Sequence, residues 1–239
     1  MIYFTLCIPT MDRYNKFLSK NLPNYLENPY ITEIIITDEN GNDIQNIKNN
    51  LTIPDKLKLF KNEKNLGPFL NKINACSKAT NKWIALIDSD NFADLNYFKI
   101  ASNYIENTEL SNNTIISPCG ANPRFIFNHL SNNIINKNNL KTIKQDKMFL
   151  LLMNTGNFVL NKYIIENLKL EENVNYEHTS ASDVMYFNTL CFEQLDLNFY
   201  VVKDLEYNHV KHCESIYRQT INVPEVNKFE QYITERFFN

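Results

Sequence analysis

The amino-acid sequence predicts an α/β fold with a mostly parallel central sheet that is flanked by helices. Short apolar segments rich in β-branched residues alternate along the chain with segments whose apolar residues recur at helical spacing. The apolar segments are uninterrupted, which is typical of strands that are buried on both faces of a parallel sheet. The 239 residues, 44% of them hydrophobic, are enough for one large domain.

Six segments have the composition of buried strands. In chain order they are Ile2–Ile8, Ile31–Thr37, Lys56–Phe60, Trp83–Ile87, Thr114–Ser117 and 198–203. The first is expected to end at Pro9, because proline carries no N–H group for the ladder of hydrogen bonds. The pattern is least regular between residues 119 and 147, where hydrophobic anchors are few.

Helical spacing predicts helices between these strands. Asp12 is a candidate N-cap for a helix that runs to about Leu26, and Asp94 is one for a helix that runs to about Ile105. Further helices are predicted at Phe69–Ala79, at 161–168, at 182–195 and from Val223 to the end of the chain. We expect this last helix to dock on the domain; the alternative is a homodimer or membrane-surface contact.

Charge and composition argue against several classes of protein. The net charge is −3 and the isoelectric point is about 5.9, whereas proteins that bind nucleic acid are commonly basic. The longest uninterrupted apolar run, Met148–Met153, has six residues, and a transmembrane helix needs about 20. The first residues carry no signal-peptide pattern. We therefore expect a cytoplasmic protein without a transmembrane segment.

Residue usage adds two expectations about the source. The five cysteines are widely spaced and form no Cys-x-x-Cys pair, which favours free thiols in a reducing compartment. Asn, Ile and Lys are abundant, which is typical of an AT-rich genome. The source organism would be a low-GC bacterium. If the gene is viral instead, the protein would act in the infected host cell.

Polar side chains follow each of the first four predicted strands. In open α/β sheets, ligands bind beyond the carboxyl ends of the strands. The residues at these ends are Pro9, Thr10 and Arg13, then Asp38 and Glu39, then Asn65 and Gly67, and finally Asp88 and Asp90. They predict a concave, acidic site that could hold a metal. The chain has neither a GxGxxG nor a GxxxxGK[ST] motif, so a glycine loop that binds nucleotide phosphates is excluded.

The segment Asp88-Ser89-Asp90 is the most specific single feature of the sequence. Two carboxylates two residues apart on an extended chain project to the same side. Together they can bind Mg²⁺ or Mn²⁺, with water and diphosphate oxygens as the remaining ligands. Asp-x-Asp also occurs in many surface turns, but here it follows the buried segment Trp83–Ile87. Acidic groups at the end of a buried strand require a partner or a cation.

Several ordered segments together resemble the family 2 glycosyltransferases, which have the A-type (GT-A) fold and use nucleotide sugars. The first strand and its turn, 7–13, match the family's opening, with Asp12 where Asn is usual. Residues 33–41 match its second strand and acidic pair. The spacing from Asn65 through Ile84 is kept, with Lys72 where a basic residue is usual, and the segment 88–90 matches the metal (DXD) motif. The resemblance covers residues 3–100 well and 150–216 more loosely.

The resemblance implies a Rossmann-like fold and a role for each matching residue. The donor would be a nucleotide sugar, most simply a UDP-sugar, with Asp38 or Glu39 and Thr10 at the base and ribose. Pro9, Arg13, Asn65, Gly67, Lys72 and the segment Asp88-Ser89-Asp90 would complete the donor site. Gly156 and Asn157 resemble a turn on the acceptor side. His212, or alternatively His209, would join Asp88 and Asp90 around Mn²⁺ or Mg²⁺.

Asp183 matches the second residue of the family's Glu-Asp pair, and Ser182 stands in place of the Glu. In inverting members that aspartate is the general base, so the resemblance implies that Asp183 activates a hydroxyl of a glycan or glycoconjugate acceptor. The alternative interpretation is an ordinary N-cap, because aspartate is common where helices begin.

The resemblance also implies one catalytic domain over 1–239. Residues 1–118 would bind the nucleotide sugar, residues 119–222 would bind the acceptor, and residues 223–239 would form the terminal helix. Two other functions remain open from the residues alone. A nucleotidyltransferase normally has a first loop rich in Gly and Lys, which Pro9–Tyr14 lacks. A non-catalytic module for a sugar or nucleotide would bind the donor without turnover.

Overall fold

A computed structural model describes residues 1–213, 215–220 and 222–238, and its centre is a mixed nine-stranded sheet. The strands are β1 (Phe4–Thr10), β2 (Ile31–Asp38), β3 (Leu57–Lys61), β4 (Trp83–Leu86), β5 (Thr114–Asn122), β6 (Phe125–Ile126), β7 (Ile134–Ile135), β8 (Val159–Asn161) and β9 (Asn198–Asn208). Their order is β3-β2-β1-β4-β8-β5-β9-β7, with β6 beside β5. Strands β1 to β5 and β9 run in the same direction, so the mostly parallel sheet is confirmed.

Ten α-helices connect and cover these strands in the described part of the chain. They are α1 (Ser19–Glu27), α2 (Asn42–Asn50), α3 (Gly67–Ser77), α4 (Leu95–Asn107), α5 (Leu140–Ile143), α6 (Phe149–Met153), α7 (Lys162–Asn167), α8 (Asp183–Gln194), α9 (Ile216–Thr220) and α10 (Pro224–Phe238). A π-helical turn at Tyr14–Leu18 leads into α1. The six predicted helices are all present, and most of their described ends lie within two residues of the predicted ends. The end predicted at Asn239 lies outside the described residues.

Two apolar clusters cover the two faces of the sheet. Alternate residues of β1 face opposite sides, so that Leu6 belongs to one cluster and Cys7 to the other. One cluster packs against α1 and α4, and the other packs against α3, α6 and α8. The predicted burial of the sheet on both faces is therefore confirmed.

Strand β1 continues through Pro9 to Thr10, two residues beyond the predicted end. The carbonyl of Cys7 accepts a hydrogen bond from Ile87, on the β4 side of the strand. Because bonding sides alternate along a strand, the nitrogen of Pro9 faces that same side. Strand β4 has already ended at Leu86, so the missing N–H group of Pro9 costs no ladder bond.

The predicted N-cap role of Asp12 is wrong. Asp12 has a φ of 57° and its carboxylate accepts hydrogen bonds from the side chains of Asn40 and Asn42. The N–H groups of Arg13 and Tyr14, where the helical segment begins, donate instead to the carboxylate of Asp43. Asp43 lies on α2, which was not predicted, and acts as a cap from about thirty residues away.

Strand β8 was also not predicted, and it determines how the site is assembled. Its three residues run antiparallel between β4 and β5. Val159 pairs with Ala85 of β4 on one side and with Ile116 of β5 on the other. A segment of three residues is too short for a recognisable pattern of alternation. Through β8, the turn at 156–157 is brought beside the end of β4.

The C-terminal helix docks on the domain, as expected. Val226, Ile233 and Phe237 are at most 5% exposed, and Ile233 and Phe237 belong to the apolar cluster around α8. No helix within the described residues is both long enough and apolar enough to cross a membrane. The five cysteines are free thiols, and Cys213 is the exposed one among them.

Candidate active site

A cleft of about 640 Å³ opens at the carboxyl ends of β1 and β4 and continues to the start of α8. This volume is within the range of small-molecule sites. The predicted site residues that line it are Pro9, Thr10, Arg13, Glu39, Asn65, Gly67, Lys72, Asp88, Ser89, Asp90, Gly156, Asn157, Asp183, His209 and His212. Asp38 is absent from the lining.

Asp38 lies beneath the cleft and is completely buried. Its carboxylate accepts hydrogen bonds from the backbone N–H groups of Ile44, at 3.0 Å, and Asn40, at 3.3 Å. Burial raises the pKa of Asp38, and the hydrogen bonds offset part of that rise. Asp38 therefore supports the start of α2. Of the two residues expected at the base, Glu39 is the one that faces the cleft.

Glu39 is held by a buried network of asparagines. One oxygen, Oε2, accepts hydrogen bonds from Asn62 Nδ2 at 3.0 Å and from the N–H group of Leu66 at 2.8 Å. Asn62 also donates to Oδ1 of Asn71 at 3.0 Å. The other oxygen, Oε1, is buried and has no hydrogen-bond partner within the described residues. Since a buried carboxylate oxygen without a partner is costly, Oε1 is a candidate acceptor for a ligand N–H or O–H group.

The first strand ends in a turn organised by Asp43. This side chain is 1% exposed and accepts hydrogen bonds from the Thr10 hydroxyl at 2.5 Å and the N–H groups of Arg13 and Tyr14. The Thr10 hydroxyl is thus already used within the protein. Asp43 was missed by the sequence reasoning, because it lies in a polar segment with no motif and no predicted element.

Lys72 joins two acidic residues of the site. Its Nζ lies 3.0 Å from Oδ1 of Asp88 and 2.8 Å from Oδ2 of Asp183. The Lys72 side chain is 14% exposed and that of Asp183 is 11% exposed, so solvent screens the pair weakly. Burial alone would lower the pKa of Lys72, but the two carboxylates outweigh burial and raise it. Lys72 is therefore a permanent cation between β4 and α8.

Asp183 is the first residue of α8, and the N-cap position belongs to Ser182. The N-cap interpretation of Asp183 is therefore wrong. Its Oδ1 accepts a hydrogen bond from the N–H group of Val184 at 2.9 Å. Burial raises the pKa of Asp183, and Lys72 offsets part of that rise. The result is a buried carboxylate at the edge of a cleft, with an elevated basicity.

The turn at 156–157 supports the end of β4. Asn157 has a φ of 63°, a conformation that Asn tolerates better than most residues, and its Oδ1 accepts a hydrogen bond from the N–H group of Asp88 at 2.7 Å. The Asn157 carbonyl accepts a hydrogen bond from the Tyr97 hydroxyl at 2.6 Å. A Cβ atom at Gly156 would lie 3.5 Å from Oδ2 of Asp88. Gly156 and Asn157 line the cleft, and the Asn157 side chain holds the backbone of Asp88.

Asp90 and His212 form a close pair across the cleft. Nε2 of His212 lies 2.8 Å from Oδ2 of Asp90, and the ring packs against Phe17 with 4.9 Å between centroids. Nε2 of His209 instead lies 3.1 Å from Nη1 of Arg124. Burial and the Arg124 charge lower the pKa of His209. The two histidines therefore have different surroundings.

The acidic and histidine side chains of the cleft fit a divalent cation in part. Within the described residues, no group of three or more Asp, Glu, His or Cys side chains is arranged to bind one ion. Asp90 and His212 fit a smaller set, because adjacent ligands on Mn²⁺ or Mg²⁺ lie about 3 Å apart and these two atoms are 2.8 Å apart. Asp88 is paired with Lys72 and His209 with Arg124. Asp90 and His212 are therefore the best candidates for ligands.

The remaining lining residues form the two sides of the cleft. On the side of α3, Oδ1 of Asn65 accepts a hydrogen bond from the N–H group of Gly67 at 2.9 Å, and Gly67 has a φ of 76° that favours glycine. Arg124, Glu177 and Ser180 line the opposite side, and the sequence does not predict them as site residues. They lie in loops without a motif or a periodic pattern.

Comparison with protein families gives one match. The profile of glycosyl transferase family 2 matches residues 5–168, from the second residue of β1 to just beyond α7. A search of curated protein sequences returns no match.

Solved structures with a similar fold extend over the whole chain. The structure of S. aureus TarS 1–349 in complex with UDP-GlcNAc has a TM-score of 0.69 and 14% identity, over 100% of this chain and 67% of that one. Glucosyl-3-phosphoglycerate synthase from Mycobacterium tuberculosis, in complex with Mn²⁺, UDP-glucose and phosphoglyceric acid, has a TM-score of 0.62 and 11% identity, over 99% of this chain and 80% of that one. At these identities the similarity concerns the fold.

Proposed function

This chain belongs to glycosyl transferase family 2 and is a glycosyltransferase; from that premise we propose that it uses a UDP-linked sugar and a hydroxyl acceptor. The acceptor would be a glycan or glycoconjugate. The observation that carries the proposal is the single cleft lined by Glu39 and Asp90, which follow strands β2 and β4, and by Asp183, which begins α8. Two structures of the same fold hold UDP-sugars.

The donor would lie across the ends of β1, β2 and β4. The unpaired Oε1 of Glu39 is suited to accept a hydrogen bond from the base or ribose. Asp90 and His212 would hold Mn²⁺ or Mg²⁺, which when bound neutralises charge on the leaving diphosphate. Residues 1–118 supply Glu39, Asp90 and Lys72, and residues 119–222 supply Asp183 and His212. The two halves thus share the site.

Asp183 is proposed as the general base. Its carboxylate would take the proton of the acceptor hydroxyl as that oxygen forms a bond to the anomeric carbon. The bond from the anomeric carbon to the diphosphate oxygen breaks, and the diphosphate leaves with the electron pair. Attack opposite the leaving group inverts the anomeric configuration. The elevated basicity of the buried Asp183 suits this role.

The test is a thermal-shift series with UDP, GDP and UDP-sugars, with and without Mn²⁺, on the wild type and on Asp90→Ala. A ligand at 100 times its dissociation constant should stabilise the fold by about 2.7 kcal/mol. We expect Mn²⁺-dependent stabilisation by UDP that is reduced in Asp90→Ala. If none of these nucleotides stabilises the wild type, the proposed donor class is wrong.

Turnover tests whether a bound UDP-sugar is the donor substrate. Wild-type protein that is stabilised by a UDP-sugar should also release UDP from it slowly, with water as the acceptor. Asp94→Asn is a control for Asp90→Ala, because Asp94 is the N-cap of α4 and lies outside the cleft. Binding without any UDP release would show that the bound UDP-sugar is not the donor.

A further inference from the structure

The wall of the cleft beside Asp183 is formed by residues 171–182, which we call the acceptor wall. It contains one 3₁₀ turn, Tyr176–Thr179, and no longer helix or strand. Glu177, Ser180 and Ala181 of this segment line the cleft. Such a segment needs side-chain contacts to hold its conformation, because its backbone has few hydrogen bonds of its own.

Ser180 gives the acceptor wall a group suited to a ligand. The residue is 9% exposed, and its Oγ is buried without a hydrogen-bond partner in the described part of the protein. A buried hydroxyl without a partner is unfavourable, so this atom is suited to a ligand hydroxyl. It lies three positions before Asp183 and lines the same cleft.

Tyrosine side chains fasten the acceptor wall to the domain. The ring of Tyr176 stacks on Phe69 of α3, with 5.2 Å between centroids and 9° between planes. Its hydroxyl donates to the carbonyl of Glu171 at 2.8 Å. The hydroxyl of Tyr186, on α8, donates to Oε2 of Glu171 at 2.8 Å. Glu171 therefore links the acceptor wall to α8 through hydrogen bonds.

Arg236 on the C-terminal helix completes this attachment. Its Nη1 and Nη2 donate to the two carboxylate oxygens of Glu171 at 3.0 and 2.9 Å. Its Nε donates to Glu193 of α8 at 2.9 Å. Two-point pairing of a guanidinium with a carboxylate fixes orientation as well as distance. The Arg236 side chain is 20% exposed, so the contact is largely shielded from water.

We propose that Arg236 is a positioning residue that holds the acceptor wall, so that Ser180 and Asp183 face a hydroxyl-bearing acceptor together. The proposal rests on the proposed function. Arg236 is remote from the reacting atoms and acts through Glu171. Its loss should leave the donor side, formed by Glu39 and Asp90, unchanged, while the acceptor side loses its order.

The experiment compares Arg236→Ala and Arg236→Lys with Gln231→Ala. Gln231 makes an exposed hydrogen bond to Glu235 on the same helix, and no hydrogen bond joins it to Glu171 in the described part of the chain, so its variant is a matched control. Each protein is given UDP-GlcNAc or UDP-glucose with Mn²⁺ and glycerol as the probe acceptor. The readout is the ratio of sugar transferred to glycerol to sugar released to water. This ratio is independent of the fraction of folded enzyme, so lower stability alone does not change it.

We expect the ratio to fall about tenfold in Arg236→Ala, since small displacements of reacting groups have effects of that order or larger. Arg236→Lys should be intermediate, because lysine keeps the charge and loses the two-point contact. The KM for the UDP-sugar should stay within about twofold of the wild-type value. This margin is well below a tenfold change, which corresponds to about 1.4 kcal/mol. Hydrogen exchange of residues 171–182 should be faster in Arg236→Ala and unchanged in Gln231→Ala.

Two results would overturn the proposal in distinguishable ways. An unchanged ratio together with unchanged exchange in Arg236→Ala would show that Arg236 does not position the wall. A wild-type protein that consumes neither UDP-sugar, and is not stabilised by UDP, would overturn the proposed function instead. Ile233→Val, which shortens a buried side chain of the same helix, serves as a second control for general loss of stability.

Discussion

The ammonium group of Lys72 lies 2.8 Å from the carboxylate of Asp183. This one contact connects α3, which follows the third strand, to the first residue of α8. The same ammonium group lies 3.0 Å from Asp88, so the proposed base and the acidic motif after β4 share one cation. Their positions in the cleft therefore depend on each other.

Replacing Lys72 by methionine should strongly destabilise the protein. The largely buried carboxylate of Asp183 and the partly exposed carboxylate of Asp88 would lose the cation between them, and a buried ion pair that loses one partner costs about 3–5 kcal/mol. Chemical denaturation of the wild type and the variant measures this free energy of unfolding. Lys162→Met is the control, because the exposed pair of Lys162 and Glu166 contributes about 0.3–0.5 kcal/mol. Equal losses in the two variants would contradict the prediction.

Asp183→Asn should remove catalysis and preserve donor binding. General-base catalysis contributes about 10²–10⁴ in rate, and an amide cannot accept the proton of the acceptor hydroxyl. The measurements are kcat for UDP release and the thermal shift produced by UDP with Mn²⁺. If kcat changes less than about threefold, far below that contribution, Asp183 is not the base.

Asn157→Gly should weaken the site at Asp88 without straining the turn. Glycine adopts the φ of 63° readily, so the variant removes the side chain and keeps the backbone conformation. The N–H group of Asp88 loses its partner, at a cost of about 1–3 kcal/mol. We expect lower stability and weaker Mn²⁺-dependent binding of UDP, measured by calorimetry. Full retention of both would show that the Asn157 side chain has no role in holding Asp88.

The sequence predicts well those parts of the fold that local patterns determine. Strand β4 and the carboxylates that follow it are adjacent in the chain. The burial of the strand and the exposure of the carboxylates can therefore be inferred together. The N-cap of α4 is equally local: Asp94 accepts a hydrogen bond from the N–H group of Tyr97 three residues later, as predicted. In both cases the interacting groups lie within one turn or one strand.

Contacts between distant segments were beyond the sequence reasoning. Asp43 supports a turn about thirty residues earlier, and no local pattern distinguishes it from the neighbouring polar residues. The buried asparagines Asn62 and Asn71 that hold Glu39 belong to a residue type so common in this chain that each one carries little information. Lys72 was placed at the donor, but its contact with Asp183 depends on how α3 and α8 pack.

Asp43→Ala should therefore destabilise the protein and disturb the donor end of the cleft. The variant leaves the Thr10 hydroxyl and the N–H groups of Arg13 and Tyr14 without their acceptor. Each buried donor without a partner costs about 1–3 kcal/mol, so we expect a total loss of about 3 kcal/mol or more in chemical denaturation. Asp43→Asn keeps one acceptor oxygen and should lose less. Equal stability of the alanine variant and the wild type would contradict this role.

The contact between Glu171 and Arg236 should make the acceptor wall sensitive to acid. Hydrogen bonds from Arg236 hold the pKa of Glu171 below its usual value. A carboxylate with a lowered pKa in the folded state stabilises the fold above its unfolded pKa, about 4.3 for Glu, and this stabilisation disappears as the pH falls through the folded pKa. The difference in Tm between the wild type and Glu171→Gln should therefore be constant between about pH 6 and 7 and shrink below about pH 4.3.

Hydrogen exchange can locate this effect in the molecule. Between about pH 6 and 7, where Glu171 is ionised in both states, Glu171→Gln should exchange faster than the wild type over residues 171–182, because glutamine cannot form the charged contact with Arg236. The control is Glu166→Gln, whose exposed pair with Lys162 lies on α7, outside the acceptor wall. A Tm difference of the same size at every pH would show that the ionisation of Glu171 has no part in holding the wall, because protonating the carboxylate would then leave its contribution to stability unchanged.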